Sequence, residues 1–219
     1  SSIEIHPDQT KARQLLGLDL SDQVVAVLPG SRKSEIDLIG PIFLQAVALL
    51  HKSRPHLKFI LPCAPGRRQA IELQLQALQL EGVVQLLEGH SHTALAAANA
   101  VMVASGTATL EAALFKCPMV IAYKLGAISY WLMKRMKLQP WVGLPNILCG
   151  EFVVPELIQD AATPQALCAA TLQWLDARQH HPAKITALEQ RFTALHESLL
   201  RNTPQLAADA IQKILAPAA

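Results

Sequence analysis

The sequence predicts an α/β fold: one parallel sheet with helices on both faces, followed by extra helices at the C-terminal end. Three observations predict it. Short apolar runs rich in Val, Ile, Leu and Ala alternate with longer runs of helical period. The strand-like runs are apolar throughout rather than alternating, as in strands buried on both faces. Beyond Pro155 the chain is Ala-rich and reads as helix without a strand. The 219 residues, 51% of them hydrophobic and 16% charged, suffice for one large domain with a sizeable core.

The elements follow in order. "PDQTKARQLLGL" reads as a short helix that starts at Pro7 and is ended by Gly17. "QVVAVLP" (23–29) is a Val-rich buried strand. The run 34–53 has helical spacing and a cap at Ser34, and Gly40-Pro41 kinks or delays it. "LKFILP" (57–62) is the second strand, 67–80 a helix and "GVVQLLE" (82–88) the third strand. A helix over 91–100, capped by Ser91, leads to the fourth strand, "AVMVA" (100–104). Then come a helix at 107–116, the fifth strand "PMVIAY" (118–123) and a helix at 128–137. Helical runs at 164–178, 182–201 and 204–216 close the chain. They pack on the sheet or reach toward a neighbouring domain.

Composition excludes several classes. A formal charge of +2, no Lys/Arg tract and few aromatic residues argue against nucleic acid. Cys63, Cys117, Cys149 and Cys168 form neither a CxxC pair nor a zinc pattern, and read as buried thiols in a reducing compartment. His90 and His92 flank Ser91, and His180-His181 fall in a helix–helix turn, with no HExxH pattern, so no metal site is expected. The GxSxG of a serine hydrolase is absent. The chain starts without Met, shows no signal peptide, and has no window of the roughly 18 apolar residues a membrane span needs.

In open parallel sheets ligands bind beyond the carboxyl ends of the strands, so the loops there carry the functional expectations. In "LPGSRKSE" (28–35), Gly30 permits a tight turn, and Ser31 and Arg32 stand at the cleft mouth. A guanidinium there suits phosphate, and a plain turn with a solvated Arg is the more ordinary alternative. In "ASGTATLE" (104–111), the following helix offers free N–H groups, Gly106 leaves room for an anion, and Ser105 and Thr107 add hydroxyls. Ordinary N-capping is the plainer alternative. Glu111 lies one turn into that helix, where a nucleotide's ribose would run alongside. An NAD site would want GxGxxG after the first strand and its acid about 20 residues further on, so the pattern favours a nucleoside diphosphate. Asn146, in "PWVGLPNILCGE" (140–151), has an amide suited to sugar hydroxyls, on a segment that otherwise reads as a turn. Helix 128–137 mixes apolar residues with Lys134, Arg135 and Lys137. It suits an anionic membrane or acyl chains, or a half-buried helix with a basic edge.

The stretches "LPGSRKSEI", "ASGTATLEAALFKCPMVIAY", "YWLMKRM", "VGLPNILCGE" and "VPELIQD", in this order, resemble the C-terminal half of the lipid A disaccharide synthases. The resemblance runs from about Pro7 to the end. It implies a Rossmann-like domain, the C-terminal half of a two-domain GT-B glycosyltransferase, with the whole of 1–219 as its nucleotide-sugar (UDP) binding domain. The implied reaction is inverting and uses neither metal nor cofactor. It joins UDP-2,3-diacylglucosamine to 2,3-diacylglucosamine 1-phosphate, giving lipid A disaccharide 1-phosphate and UDP. By the resemblance Ser105, Gly106 and Thr107 hold the diphosphate and Glu111 the ribose. Arg32 and Asn146 line the reaction cleft as the catalytic pair, Gly30 and Ser31 bind substrate, and backbone near Gly89–Ser91 meets uracil. The base that activates the acceptor belongs to a missing N-terminal acceptor domain, so this chain alone is expected to be inactive. The implied location is cytoplasmic, peripheral on the inner membrane of a Gram-negative bacterium, with a homodimer left open. Lys33, where the family has a smaller residue, and the less aromatic "KLGAISYW" depart from the pattern. Two rival readings stay open: a stand-alone UDP-sugar-binding subunit of a split glycosyltransferase, and half of a UDP-sugar 2-epimerase.

Overall fold

The computed structural model of the chain describes residues 3–126 and 140–200. Six strands form one parallel sheet in the order β3-β2-β1-β4-β5-β6. They are β1 (Val24–Leu28), β2 (Lys58–Cys63), β3 (Val84–Glu88), β4 (Ala100–Ala104), β5 (Met119–Tyr123) and β6 (Glu156–Ile158). Every residue of β1 and β4 is buried, which is why these runs are apolar on both faces. Val25 pairs with Ala100 and Leu28 with Val103. The strand order reverses at this β1–β4 pair, and the loops beyond its carboxyl ends diverge to opposite faces of the sheet.

The helices described are α1 (Gln9–Leu16), α2 (Lys33–Leu38), α3 (Gly40–Ser53), α4 (Arg68–Ala77), α5 (Ser91–Ala97), α6 (Thr107–Leu114), α7 (Leu144–Cys149), α8 (Pro164–His180) and α9 (Pro182–Leu199). The expected 34–53 helix is two helices, with the break at Ile39 just before Gly40-Pro41. Asp8 caps α1, and Gly17 ends it in the left-handed conformation. Buried Arg13 of α1 donates to the carbonyls of Ala97 and Leu20 and to Asn99 Oδ1, which also accepts from Val24 N–H. This node ties α1 to the starts of β1 and β4, and burial lowers the Arg13 pKa from its ordinary value.

Four expectations change. The segment after Pro155 does contain a strand: β6 is three residues long and pairs with β5, Ile121 opposite Glu156. Helix α7 occupies what read as a turn around Pro145-Asn146, with Pro145 near its start and Gly150 ending it. Ser34 and Ser91 are not caps, because Arg32 and His90 hold the N-cap positions and Ser34 and Ser91 lie inside their helices. Cys149 is only half-buried, unlike the other three cysteines, and all four are free thiols.

Helix α8 packs against α3 and the backs of β4 and β5, and Trp174 Nε1 donates to the carbonyl of Met119 at 2.9 Å. Helix α9 lies on α8 and α6. The expected helices at 128–137 and 204–216 lie outside the described residues. Among the described residues, no helix is long and apolar enough to cross a membrane.

Candidate functional site

A cleft of about 690 Å³ opens at the carboxyl ends of the strands. Its walls are the loops that follow β1 to β4, with Tyr123 and Val142 at the far side. Gly30, Ser31, Arg32, Ser91, Ser105, Gly106, Thr107 and Glu111 all line it. These residues are separated by up to 81 positions in sequence, and the topology alone brings them together.

Ser105 N–H is held by the Ala122 carbonyl at 3.2 Å, which fixes the exit of β4. Gly106 is then the N-cap of α6, with no side chain capping the helix. A Cβ added at Gly106 would meet nothing within 4 Å, so its absence keeps open space over the first turn. Uncapped N–H groups and the positive end of the helix dipole face that space. Glu111, four residues after Thr107, stands on the same side of α6 and lines the same cleft. Its carboxylate lies 3.8 Å from His92 Nε2 of α5, and the His92 ring in turn contacts Phe115.

The β1–α2 turn is built differently. Glu35 Oε2 accepts from the backbone N–H groups of Ser31 at 3.0 Å and Arg32 at 3.2 Å. Its other oxygen lies 3.5 Å from Arg32 Nη1. Gly30 has φ +110, and a Cβ there would stand 2.5 Å from Glu35 Oε2. The turn therefore needs glycine twice, for its backbone and for the carboxylate folded over it. From the neighbouring loop Arg67 Nε donates to the Ser31 carbonyl at 3.3 Å. Among the described residues lining the cleft, Arg32 is the one cation and Glu35 and Glu111 are the acids. Much of any anion binding here must come from backbone N–H groups.

Asn146, expected to line the reaction cleft, is not among the residues that do. It is fully enclosed, and its amide is used up inside the protein. Nδ2 donates to the Val154 carbonyl and Glu156 Oε1, while Oδ1 accepts from Val153 and Val154 N–H, all between 2.9 and 3.0 Å. Glu156 also accepts from Val142 and Gly143 N–H at 2.9 and 2.8 Å. Asn146 and Glu156 thus fix the 142–154 segment that carries Val142 to the cleft.

Sequence reasoning passed over Glu35, Arg67 and Glu156. Glu35 had a signal, since an acid three residues beyond an N-cap commonly reaches back to the cap's N–H. Arg67 and Glu156 had none, because their partners come from distant loops.

The family described as lipid-A-disaccharide synthetase matches residues 1–211. The lipid-A-disaccharide synthase of Verminephrobacter eiseniae (strain EF01-2) is 61% identical over 214 residues, covering 98% of this chain and 55% of that protein. The chain therefore spans about half the length of the curated relatives it matches. The C-terminal domain of a group 1 family glycosyl transferase from Francisella tularensis superposes with a TM-score of 0.56 at 12% identity, covering 90% of this chain and 96% of that one. The pneumococcal O-GlcNAc transferase GtfA, solved with UDP and GlcNAc, superposes with a TM-score of 0.61 at 17% identity, covering 99% of this chain and 39% of that one. At such identities the structural likeness concerns the fold alone, that of the Rossmann-like half of GT-B glycosyltransferases.

Proposed function

Because this chain belongs to the lipid-A-disaccharide synthetase family, we propose that it is the UDP-sugar-binding half of a glycosyltransferase of lipid A synthesis. The donor is a UDP-activated diacylglucosamine and the acceptor a diacylglucosamine 1-phosphate, joined with inversion. One observation carries this reading: the open start of α6 and the Glu111 carboxylate face a single cleft at the β1–β4 reversal, with Arg32 opposite. The diphosphate rests on the first turn of α6, between Ser105 and Thr107, and Glu111 accepts from the ribose hydroxyls. The uracil lies toward Gly89 and Ser91. The GtfA structure, which holds UDP on a similar fold, supports a nucleotide in this cleft.

The leaving UDP gains negative charge as the sugar bond breaks. Backbone N–H groups at α6 and the Arg32 guanidinium stabilise it without rearranging. Activating the acceptor hydroxyl needs a base. Glu35 is held by the turn and Glu111 by the ribose, and the family resemblance implies a base in the N-terminal half of the longer enzyme. The chain therefore binds UDP yet makes no disaccharide alone, and the whole enzyme works at the inner-membrane surface that holds its lipid substrates.

Calorimetric titration with UDP tests the reading. The chain binds saturably, and Glu111→Ala weakens binding about tenfold, the loss of roughly 1.4 kcal/mol of hydrogen bonding to a charged group. Absence of binding to the unaltered chain, or equal affinity for both forms, overturns the assignment.

A further inference from the structure

A carboxylate beside a diphosphate site is costly for binding, because it repels the ligand. Glu35 nevertheless lines the cleft, with its side chain only 19% exposed. It also occupies the two N–H groups of the β1–α2 turn, at Ser31 and Arg32, which would otherwise be free to hold phosphate. Among the described residues, the same carboxylate is the ion-pair partner of the Arg32 guanidinium, whose side chain is 79% exposed. Gly30 is the residue that makes room for it.

We propose that Glu35 is a positioning residue of the donor site. It withholds the turn's N–H groups from the nucleotide and aims Arg32, so that the diphosphate settles on α6 and Arg32 meets the charge that develops when the sugar bond breaks. This inference rests on the UDP-site reading above. A guanidinium free to pair with the resting diphosphate strengthens ground-state and transition-state binding alike, and so adds little to the rate. Held by Glu35, the same group contributes where charge appears. The carboxylate thus trades donor affinity for turnover.

The test uses the full-length enzyme with the Glu35→Gln, Glu35→Asp, Arg32→Ala and Glu35→Gln/Arg32→Ala variants. UDP affinity is read by calorimetry and turnover by disaccharide formation. Glu35→Gln keeps an acceptor over the turn but loses the charge. Its UDP affinity is expected to hold or rise by about threefold, while kcat falls about tenfold or more. Glu35→Asp recovers part of the loss. In the Arg32→Ala background the Glu35→Gln change lowers kcat by less than about threefold, because the two residues act as one unit. If Glu35→Gln does not fold, Glu35→Asp carries the test, with a smaller fall in kcat in the same direction. Parallel losses of affinity and kcat, or independent multiplication of the two single-variant effects, overturn the proposal. Failure of the unaltered enzyme to bind UDP would instead strike the underlying site reading, so the two failures are distinguishable.

Discussion

At the residue scale, Asn146 shows how a buried polar side chain can brace a segment that reaches a cleft wall. All its amide hydrogen-bonding groups are engaged within the segment 146–156. Asn146→Ala leaves the Val153 and Val154 N–H groups and Glu156 short of partners, at a cost of about 2–4 kcal/mol. The melting temperature should fall by roughly 5–15 °C. Asn146→Asp is expected to do more harm at neutral pH than Asn146→Ala. It sets a second carboxylate where Nδ2 now meets Glu156 Oε1 at 2.9 Å. Thermal melts of both variants at neutral pH check this, and an Asn146→Asp protein as stable as the parent would refute the buried network. The sequence could not reveal it: an Asn after Pro reads as a turn, and its partners are two residues of the loop before β6 and the first residue of that edge strand, which has no pattern of its own.

At the element scale, what the sequence made legible follows from where apolar pressure is greatest. β1, β4 and β5 are continuous apolar runs because both faces are covered, and the β4–α6 junction announces itself by the small polar trio Ser105-Gly106-Thr107. β6 was hidden because three half-buried residues beginning with Glu156 have neither run nor alternation. α7 was hidden because its six residues are fewer than two turns and include a proline. Both hidden elements meet at Gly143, the N-cap of α7. A Cβ there would lie 2.3 Å from Ile121 Cδ1 and 3.1 Å from Glu156 Oε1. The backbone is ordinary at this position, with φ −78, so glycine is needed for space alone. Gly143→Ala is therefore expected to destabilise by about 1–3 kcal/mol through overpacking. It also pushes Val142 at the cleft wall, so UDP affinity should fall with stability. Replacing Ile121 by Val in the same chain removes the methyl that clashes and should restore part of both. A Gly143→Ala chain with parental melting and binding would show that the α7–β6 seam is loose.

At the scale of the whole molecule, α6 joins two regions of different character. Its start opens on the cleft, while Lys116, just past its C-terminal end, reaches α9. Lys116 Nζ lies 2.7 Å from His196 Nδ1, and His196 is almost wholly buried. Burial first, and then the lysine's charge, lower the His196 pKa below the ordinary histidine value of 6.5, against smaller opposing effects from backbone carbonyls and Glu197. Burial likewise lowers the Lys116 pKa. In the folded protein the neutral imidazole accepts from the ammonium, so a proton on His196 would set two cations against each other. The folded pKa lies below the unfolded one. The contribution is therefore fully present above pH 6.5 and is lost as the pH falls toward the folded value, because the unfolded chain then binds the proton more readily. The protein should lose melting temperature between pH 7 and 5, and His196→Asn should flatten that loss while lowering stability at pH 7. Other groups titrate in the same window, so the informative quantity is the gap between parent and variant, which shrinks with falling pH. Melts repeated with saturating UDP should raise both curves and leave the gap unchanged, since the proposed nucleotide site lies at the opposite end of α6. A gap that is constant with pH would mean that His196 is not held neutral against Lys116. A gap that changes with UDP would mean that the cleft and the α6–α9 contact are coupled through the helix.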